Sequence, residues 1–339
     1  MVIISWRRAA ALGVTVAGAT AAGVVAQVVT DRGRSRRRAQ QGDDAVFGSL
    51  HSAAQQIEAS DGVLLNVEVD EPDGDVAAGT PTVVFVHGWV LDLNCWHYQR
   101  AALRGRARLV FYDQRSHGRS GRSPAASSTH EQLGRDLRTV LESVAPDGPV
   151  VLVGHSMGGM TVMALADEFP ELFDDRVVAV ALLSTSAGEL VGAVNPIGRL
   201  QPLLMGGLAR MTFFVDKTRN INQYQLTRSL AVGPDAAEIY ADMAHEMISR
   251  ARTHVFWDFY PSFASLDMYP ALAVIPGEHT VVIAGTKDQL TPIRHSRILA
   301  ERIKGSTLVV CERAGHMVML EAHEKVNHAL DVLLEDVLR

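Results

Sequence analysis

The stretch PVVLVGHSMGG, residues 149–159, decides how this chain is read. After Pro149 comes a continuous apolar run, suited to a strand buried on both faces. The chain then meets Gly154, Ser156 and Gly158, the pattern G-x-S-x-G. A serine hydroxyl is a poor nucleophile at neutral pH and needs a base with an orienting acid behind it. It must also stand clear of the sheet. A tight strand-to-helix turn lifts it, and the two glycines remove the side chains that would clash there. The segment that follows, MGGMTVMALADEF (157–169), reads as a helix. The unpaired amides of its first turn favour a developing negative charge.

Working outward, the same texture recurs. TVVFVHGW (82–89), ARLVFYDQR (107–115), VVAVALLST (177–185), HTVVIAGTKD (279–288) and STLVVCERAGH (306–316) read as further strands. GVLLNVEV (62–69) alternates apolar and polar residues and ends at Pro72 and Gly74, a strand and a turn. Between them lie helical patterns. Thr129 with Gln132 three residues on forms a capping-box signature, and Leu133, Leu137, Val140, Leu141 and Val144 share one helix face. Val326, Leu330, Leu333, Leu334 and Val337 do the same near the C-terminus. Strand and helix in alternation predict an α/β fold, a mainly parallel central sheet flanked by helices. Asp288 and His316 then fall on loops at the carboxyl ends of their strands, the edge that carries Ser156 and the edge where open α/β sheets keep their sites.

With Ser156, Asp288 and His316 in that chain order, the sequence resembles the α/β-hydrolase family. The likeness is to its capped branch, which holds epoxide hydrolases, cofactor-free haloperoxidases, monoacylglycerol lipases and ring-cleavage hydrolases. The motifs are HGW (87–89), DQRSHGRS (113–120), GHSMGG (154–159), GTKDQLTP (285–292) and AGH (314–316), spread over about 230 residues. The resemblance implies that Ser156 is the nucleophile, His316 the general base and acid, and Asp288 the orienting acid. It implies an oxyanion hole from the backbone N–H groups of Trp89 and Met157. Epoxide hydrolases and haloalkane dehalogenases of this branch use Asp as nucleophile, and Ser156 argues against both. An acyl-enzyme is expected, and with it hydrolysis of an ester, thioester, lactone, amide or activated C–C bond. His87 and His117 read as structural hydrogen-bonders, Asp113 and Arg115 as braces for their loop, and His155 as a residue that shapes the turn. Glu189 is a rival for the acid role.

About 85 residues, 186–270, separate two of the strands, far more than an ordinary connection. The segment reads as a helical cap or lid, for example PDAAEIYADMAHEMISRAR (234–252). It holds half of the chain's aromatics, including Phe213, Phe214, Tyr224, Phe256, Trp257 and Tyr260, which line an apolar pocket or pack the cap itself. The expected organisation is an N-terminal segment and basic linker (1–44), an α/β core (45–185 and 271–339) and the cap (186–270).

Residues 9–29, AAALGVTVAGATAAGVVAQVV, carry no charge, though Ala and Gly supply 11 of the 21. Arg7 and Arg8 precede them, and Arg32, Arg34, Arg36, Arg37 and Arg38 follow. Three readings stand: an uncleaved membrane anchor with the body on the cytoplasmic side, a cleaved export signal, or an Ala-rich tail. The arginines following the segment are also suited to anionic lipid. The net charge of −6 argues against a nucleic-acid partner. Cys95 and Cys311 are too few for a disulfide framework. HEKVNH (323–328) sets its histidines roughly 140° apart on a helix, unlike a zinc H-E-x-x-H, so no metal is expected. With no phosphate-binding glycine motif, no nucleotide cofactor is expected either. The partner expected is a small apolar ester. The readings kept beside an esterase are a haloperoxidase-type perhydrolase, a C–C hydrolase and a non-catalytic binding protein.

Overall fold

The structure, a computed structural model, describes residues 45–74, 79–190 and 224–338. Eight strands form one sheet: β1 (Ala54–Glu58), β2 (Leu64–Asp70), β3 (Thr82–Val86), β4 (Leu109–Tyr112), β5 (Val150–His155), β6 (Val177–Leu183), β7 (Thr280–Gly285) and β8 (Thr307–Cys311). Their order is β1-β2-β4-β3-β5-β6-β7-β8. β2 runs antiparallel to both β1 and β4, and the six strands from β4 to β8 are parallel. The α/β expectation holds. β1 is an addition: AQQIE carries one buried residue and no clear alternation, so nothing in it marks a strand without its partner β2.

Each inner strand is apolar on both faces because both faces are covered. Val84, Val86, Val110 and Leu152 pack on one side, with Leu137, Val140 and Leu141 of helix His130–Val144, Met160 and Met163 of helix Met157–Glu168, and Leu299. Val83, Phe85, Phe111, Val151 and Val153 pack on the other, with Leu103, Val326, Leu330 and Leu333. The two-residue strand period divides the apolar residues between these layers. The helix 130–144 begins as expected at Thr129, whose hydroxyl accepts from the Gln132 amide at 3.2 Å. The second half of the capping box does not form. The Gln132 side chain turns to Asp136 instead, at 3.1 Å, drawn by a carboxylate one turn on. In the C-terminal helix Leu334 and Val337 are only partly buried, at the border of their layer.

The chain lays β4 on one side of β3 and then crosses to place β5 on the other. That reversal opens a crevice beyond the carboxyl ends of β3 and β5, where the loop at 87–89 and Ser156 emerge. The long insertion enters and leaves by a pinned neck. The Met268 amide donates to Ala187 O at 2.7 Å and Gly188 bridges Asp267. Its described part is helical as expected, with Glu238–Arg250, Thr253–Asp258 and Tyr260–Ala264. Phe213 and Phe214 lie outside the described residues, as do the segment 9–29 and the arginines after it. Among the described residues no helix is long and apolar enough to cross a membrane.

Candidate active site

Ser156 stands between β5 and its helix with φ 52° and ψ −118°. That is a left-handed conformation costing a non-glycine residue about 1–3 kcal/mol. The surroundings hold it there. Its amide donates to Leu183 O at 2.9 Å, and its carbonyl accepts from the Thr185 hydroxyl at 2.7 Å. The flanking glycines are required: a Cβ on Gly158 would fall 2.0 Å from Val86 O, and one on Gly154 2.7 Å from Gly158 O. The turn therefore packs backbone directly on β3.

Asp288 and His316 meet. Asp288 Oδ2 lies 2.8 Å from His316 Nδ1, in a buried pair. Asp288 Oδ1 accepts from the amides of Leu290 and Thr291, both at 2.9 Å, and the Thr291 hydroxyl lies 2.8 Å from Oδ2. Burial would push this carboxyl up, but the facing imidazole and these hydrogen bonds hold it below its ordinary value. With Nδ1 turned to the carboxylate, His316 keeps Nε2 for chemistry. Ser156 lies close by, since His155 next to it donates from Nε2 to His316 O at 3.0 Å, with the two rings 4.8 Å apart. No hydrogen bond joins the Ser156 hydroxyl to His316 Nε2 among the described residues; such bonds often tighten only when substrate is bound.

Across from this pair lies the loop 87–89. A Cβ on Gly88 would come 3.2 Å from Ser156 Cβ and 2.8 Å from His155 Nδ1. The amides of Trp89 and Met157 have no acceptor among the described residues. The loop is fixed by Gln114, whose amide donates to His87 Nε2 at 2.9 Å and whose side chain donates to His87 O at 2.6 Å. His87 Nε2 must then be an acceptor, leaving Nδ1 to donate to Gly88 O at 2.8 Å. His87 and His117 are buried neutral hydrogen-bonders, as read from the sequence. Burial holds the His87 pKa below its ordinary value and drops those of His117 and His155 to about 3. Asp113 takes the amides of Leu93 and Arg119, and Arg115 grips Asp136 and Asp61 with paired bonds of 2.6 to 3.0 Å, so both brace the loop.

Glu189, the rival for the acid role, makes no hydrogen bond to His316 among the described residues, where Asp288 does. Glu189 sits at the neck of the insertion, where its charge acts on His295 and Tyr269. His323 of the HEKVNH stretch stacks on Tyr98 at 4.0 Å. An apolar cluster of Val90, Leu133, Met157, Val255 and Phe259 closes the Trp89 side, with Phe256 and Phe263 packed against it. The Trp89 indole donates to Val255 O at 3.1 Å and meets the Phe256 and Phe263 rings edge-on at 5.4 and 5.2 Å.

The sequence profile of the α/β hydrolase family matches residues 83–329. The chain belongs to this family. Among curated relatives, this hydrolase is 28% identical over 260 residues to 3-oxoadipate enol-lactonase 2 of Acinetobacter baylyi, covering 76% of this chain and 90% of that protein. Among solved structures, an esterase from Thermogutta terrifontis superposes with a TM-score of 0.68 at 23% identity, covering 84% of this chain and 99% of that one. A bromoperoxidase from Bacillus anthracis gives 0.67 at 21% identity, covering 84% and 100%. Likenesses at this identity show the shared fold. The hydrolase also uses residues that the sequence reading passed over. Gln114 and Thr291 lie inside quoted motifs, and Glu321 follows His316 by five positions, yet nothing in their spacing announces an amide clamp or a carboxylate that collects backbone donors.

Proposed function

We propose that this α/β hydrolase is a serine esterase that cleaves a carboxylic ester with an apolar acyl group through an acyl-enzyme. Ser156 Oγ attacks the carbonyl carbon and passes its proton to His316 Nε2. Asp288 keeps the ring in the required tautomer and stabilises the imidazolium. The oxyanion of the tetrahedral intermediate takes hydrogen bonds from the Trp89 and Met157 amides. Collapse expels the alcohol, protonated by His316. Water, deprotonated by the same imidazole, then releases the acid and restores Ser156. The observation that carries the reading is the 2.8 Å Asp288–His316 pair set beside a serine in the left-handed turn. The apolar acyl group is supported by Trp89, Phe256, Phe263 and Phe259 gathered beside that turn, in which role the insertion 186–270 acts as a cap.

The test is a series of p-nitrophenyl esters from acetate to palmitate, run on the full chain and on Ser156→Ala. Turnover is expected to fall by at least about 10⁴-fold in the variant. The best chain length would size the acyl pocket. Turnover that survives in Ser156→Ala would sink the acyl-enzyme. A folded protein inert on every ester would redirect the reading to C–C or amide hydrolysis.

A further inference from the structure

His316 is held twice, once by its ring and once by its backbone. The ring hold is Asp288. The backbone hold involves three consecutive amides, Gly315, His316 and Met317, that converge on two acceptors. One is the Glu321 carboxylate, which takes Gly315 N at 3.0 and 3.1 Å and Met317 N at 3.2 Å. The other is Ala231 O, which takes His316 N at 2.9 Å and Met317 N at 3.1 Å. Ala231 belongs to the insertion. The two acceptors are themselves tied, because Glu321 Oε2 also accepts from Gly233 N at 2.7 Å.

The contact has no slack. A Cβ on Gly315 would fall 2.4 Å from Gly233 N, and one on Gly233 2.2 Å from Arg313 O. The acid loop closes the third side, with Lys287 N donating to Ala314 O at 2.9 Å and a Gly285 Cβ blocked 2.2 Å from Gly315 O. Glu321 has no bond to the imidazole. It ends the short helix Val318–Glu321, which follows the His316 loop directly, so its side chain folds back on the loop that precedes it. Burial raises the pKa of this carboxylate, and the amides of Gly315, Gly233 and Met317 offset only part of that. A partly buried acid with three backbone donors and, among the described residues, no cation in hydrogen-bond reach is built to fix backbone.

We infer that Glu321 is a positioning residue for His316, seating the backbone of the general base on the 231–233 turn of the insertion. The inference rests on the reading of His316 as the base for Ser156. It makes the insertion part of the mount of the base as well as a cover for substrate. Glu321 acts through the loop, so its loss moves the imidazole relative to Ser156 without touching the acyl pocket. A displacement of about 1 Å in such a group costs on the order of 10²-fold in rate.

The experiment compares Glu321→Ala, Glu321→Gln and Ser156→Ala in the full chain, reading kcat and KM on the best p-nitrophenyl ester and fold by circular dichroism. For Glu321→Ala the expected result is a kcat lower by about 100-fold with KM within about twofold. Glutamine keeps one acceptor oxygen but turns an NH₂ toward an amide donor, so Glu321→Gln should recover part of that loss, to about 10-fold below wild type. Should Glu321→Ala not fold, Glu321→Gln with the same kcat-against-KM readout decides. A folded variant with kcat within about twofold of wild type, or a loss carried wholly by KM, would overturn the assignment while Ser156→Ala remained inert. Activity surviving in Ser156→Ala would instead remove the reading beneath it.

Discussion

The two sides of the crevice are built on opposite rules. On the acid–base side the backbone donors around the pair are spent: Asp288 collects two amides and the His316 imidazole, and Glu321 with Ala231 collects the amides of residues 315–317. On the oxyanion side the Trp89 and Met157 amides have no acceptor among the described residues, while the loop and helix that carry them are tied together through Gln114, His87 and Thr161. One side spends its hydrogen bonds to fix a tautomer and a position. In the mechanism proposed above, the other holds two back for a charge that exists only during reaction. Preorganised donors of that kind are worth most when no reorganisation accompanies the chemistry.

The largest break in this contrast comes from Asp288→Asn. Oδ1 meets two amide donors, so the asparagine oxygen must stay there and its NH₂ must face His316 Nδ1. Nδ1 then becomes an acceptor and Nε2 carries the proton, leaving no lone pair to receive the proton of Ser156. We expect kcat to fall by about 10³- to 10⁴-fold with the fold unchanged, measured on the best ester substrate. A loss below about tenfold would mean that the acid–base side does not work by setting the tautomer.

Acid should break the two sides at different pH. Burial drops His117 to about 3 and His130 to about 4, and both stand on the oxyanion side, against Phe259 and Phe263. His155, under Ser156, is also dropped to about 3. The unfolded chain protonates these histidines near 6.5 while the folded one does not, so it binds more protons and stability falls as pH falls. Their contribution is complete above about 6.5 and declines toward 3 to 4, a loss on the order of 2 kcal/mol for each histidine by pH 5. Asp288 has a depressed pKa, and its contribution persists until pH drops below the usual carboxylate range, through its lowered folded value. Urea unfolding at pH 7.5 and 5.0 should therefore show a drop of several kcal/mol, opposed in part by the buried carboxyls of Asp113, Asp136 and Glu321, which burial raises. Flat stability down to pH 4.5 would contradict neutral buried histidines.

The sequence carried the strands and the turn at 154–158 because buried parallel strands and a backbone-crowded turn leave composition signatures: apolar runs and forced glycines. It carried Asp288 and His316 because each ends such a run. It could not carry β1, whose exposed AQQIE is a strand only through β2, or the Gln132–Asp136 bond that took the place of a full capping box. Nor could it carry Glu321, whose partners Gly315 and Gly233 stand 6 and 88 residues away. Outside local motifs such as the Thr129 cap, backbone donors have no sequence signature, so the distant residues that serve them are read only from coordinates.

Gln114 offers the finest test, because it touches only the reserved side. Its NH₂ holds His87 O at 2.6 Å and its carbonyl takes the Thr161 hydroxyl at 2.7 Å. Thr161 rises from the helix that Met157 begins, and His87 starts the loop that Trp89 ends. One side chain thus spans the two carriers of the unspent amides. Gln114→Leu keeps the approximate volume and the backbone bond to His87 Nε2, but strands His87 O. The Thr161 hydroxyl can fall back on Met157 O, already 3.0 Å away. The cost in stability should be about 1–3 kcal/mol for one buried acceptor left unpaired. If the amides must be held in register, kcat should also fall by about tenfold with KM little changed, and the loss should match the loss in affinity for a transition-state analogue such as an alkyl boronic acid. A variant that is merely less stable, with kcat and boronate affinity intact, would show that the loop and helix hold the amides without it. The reserve of the oxyanion side would then reside in the backbone packing of Gly88 and Gly158 alone.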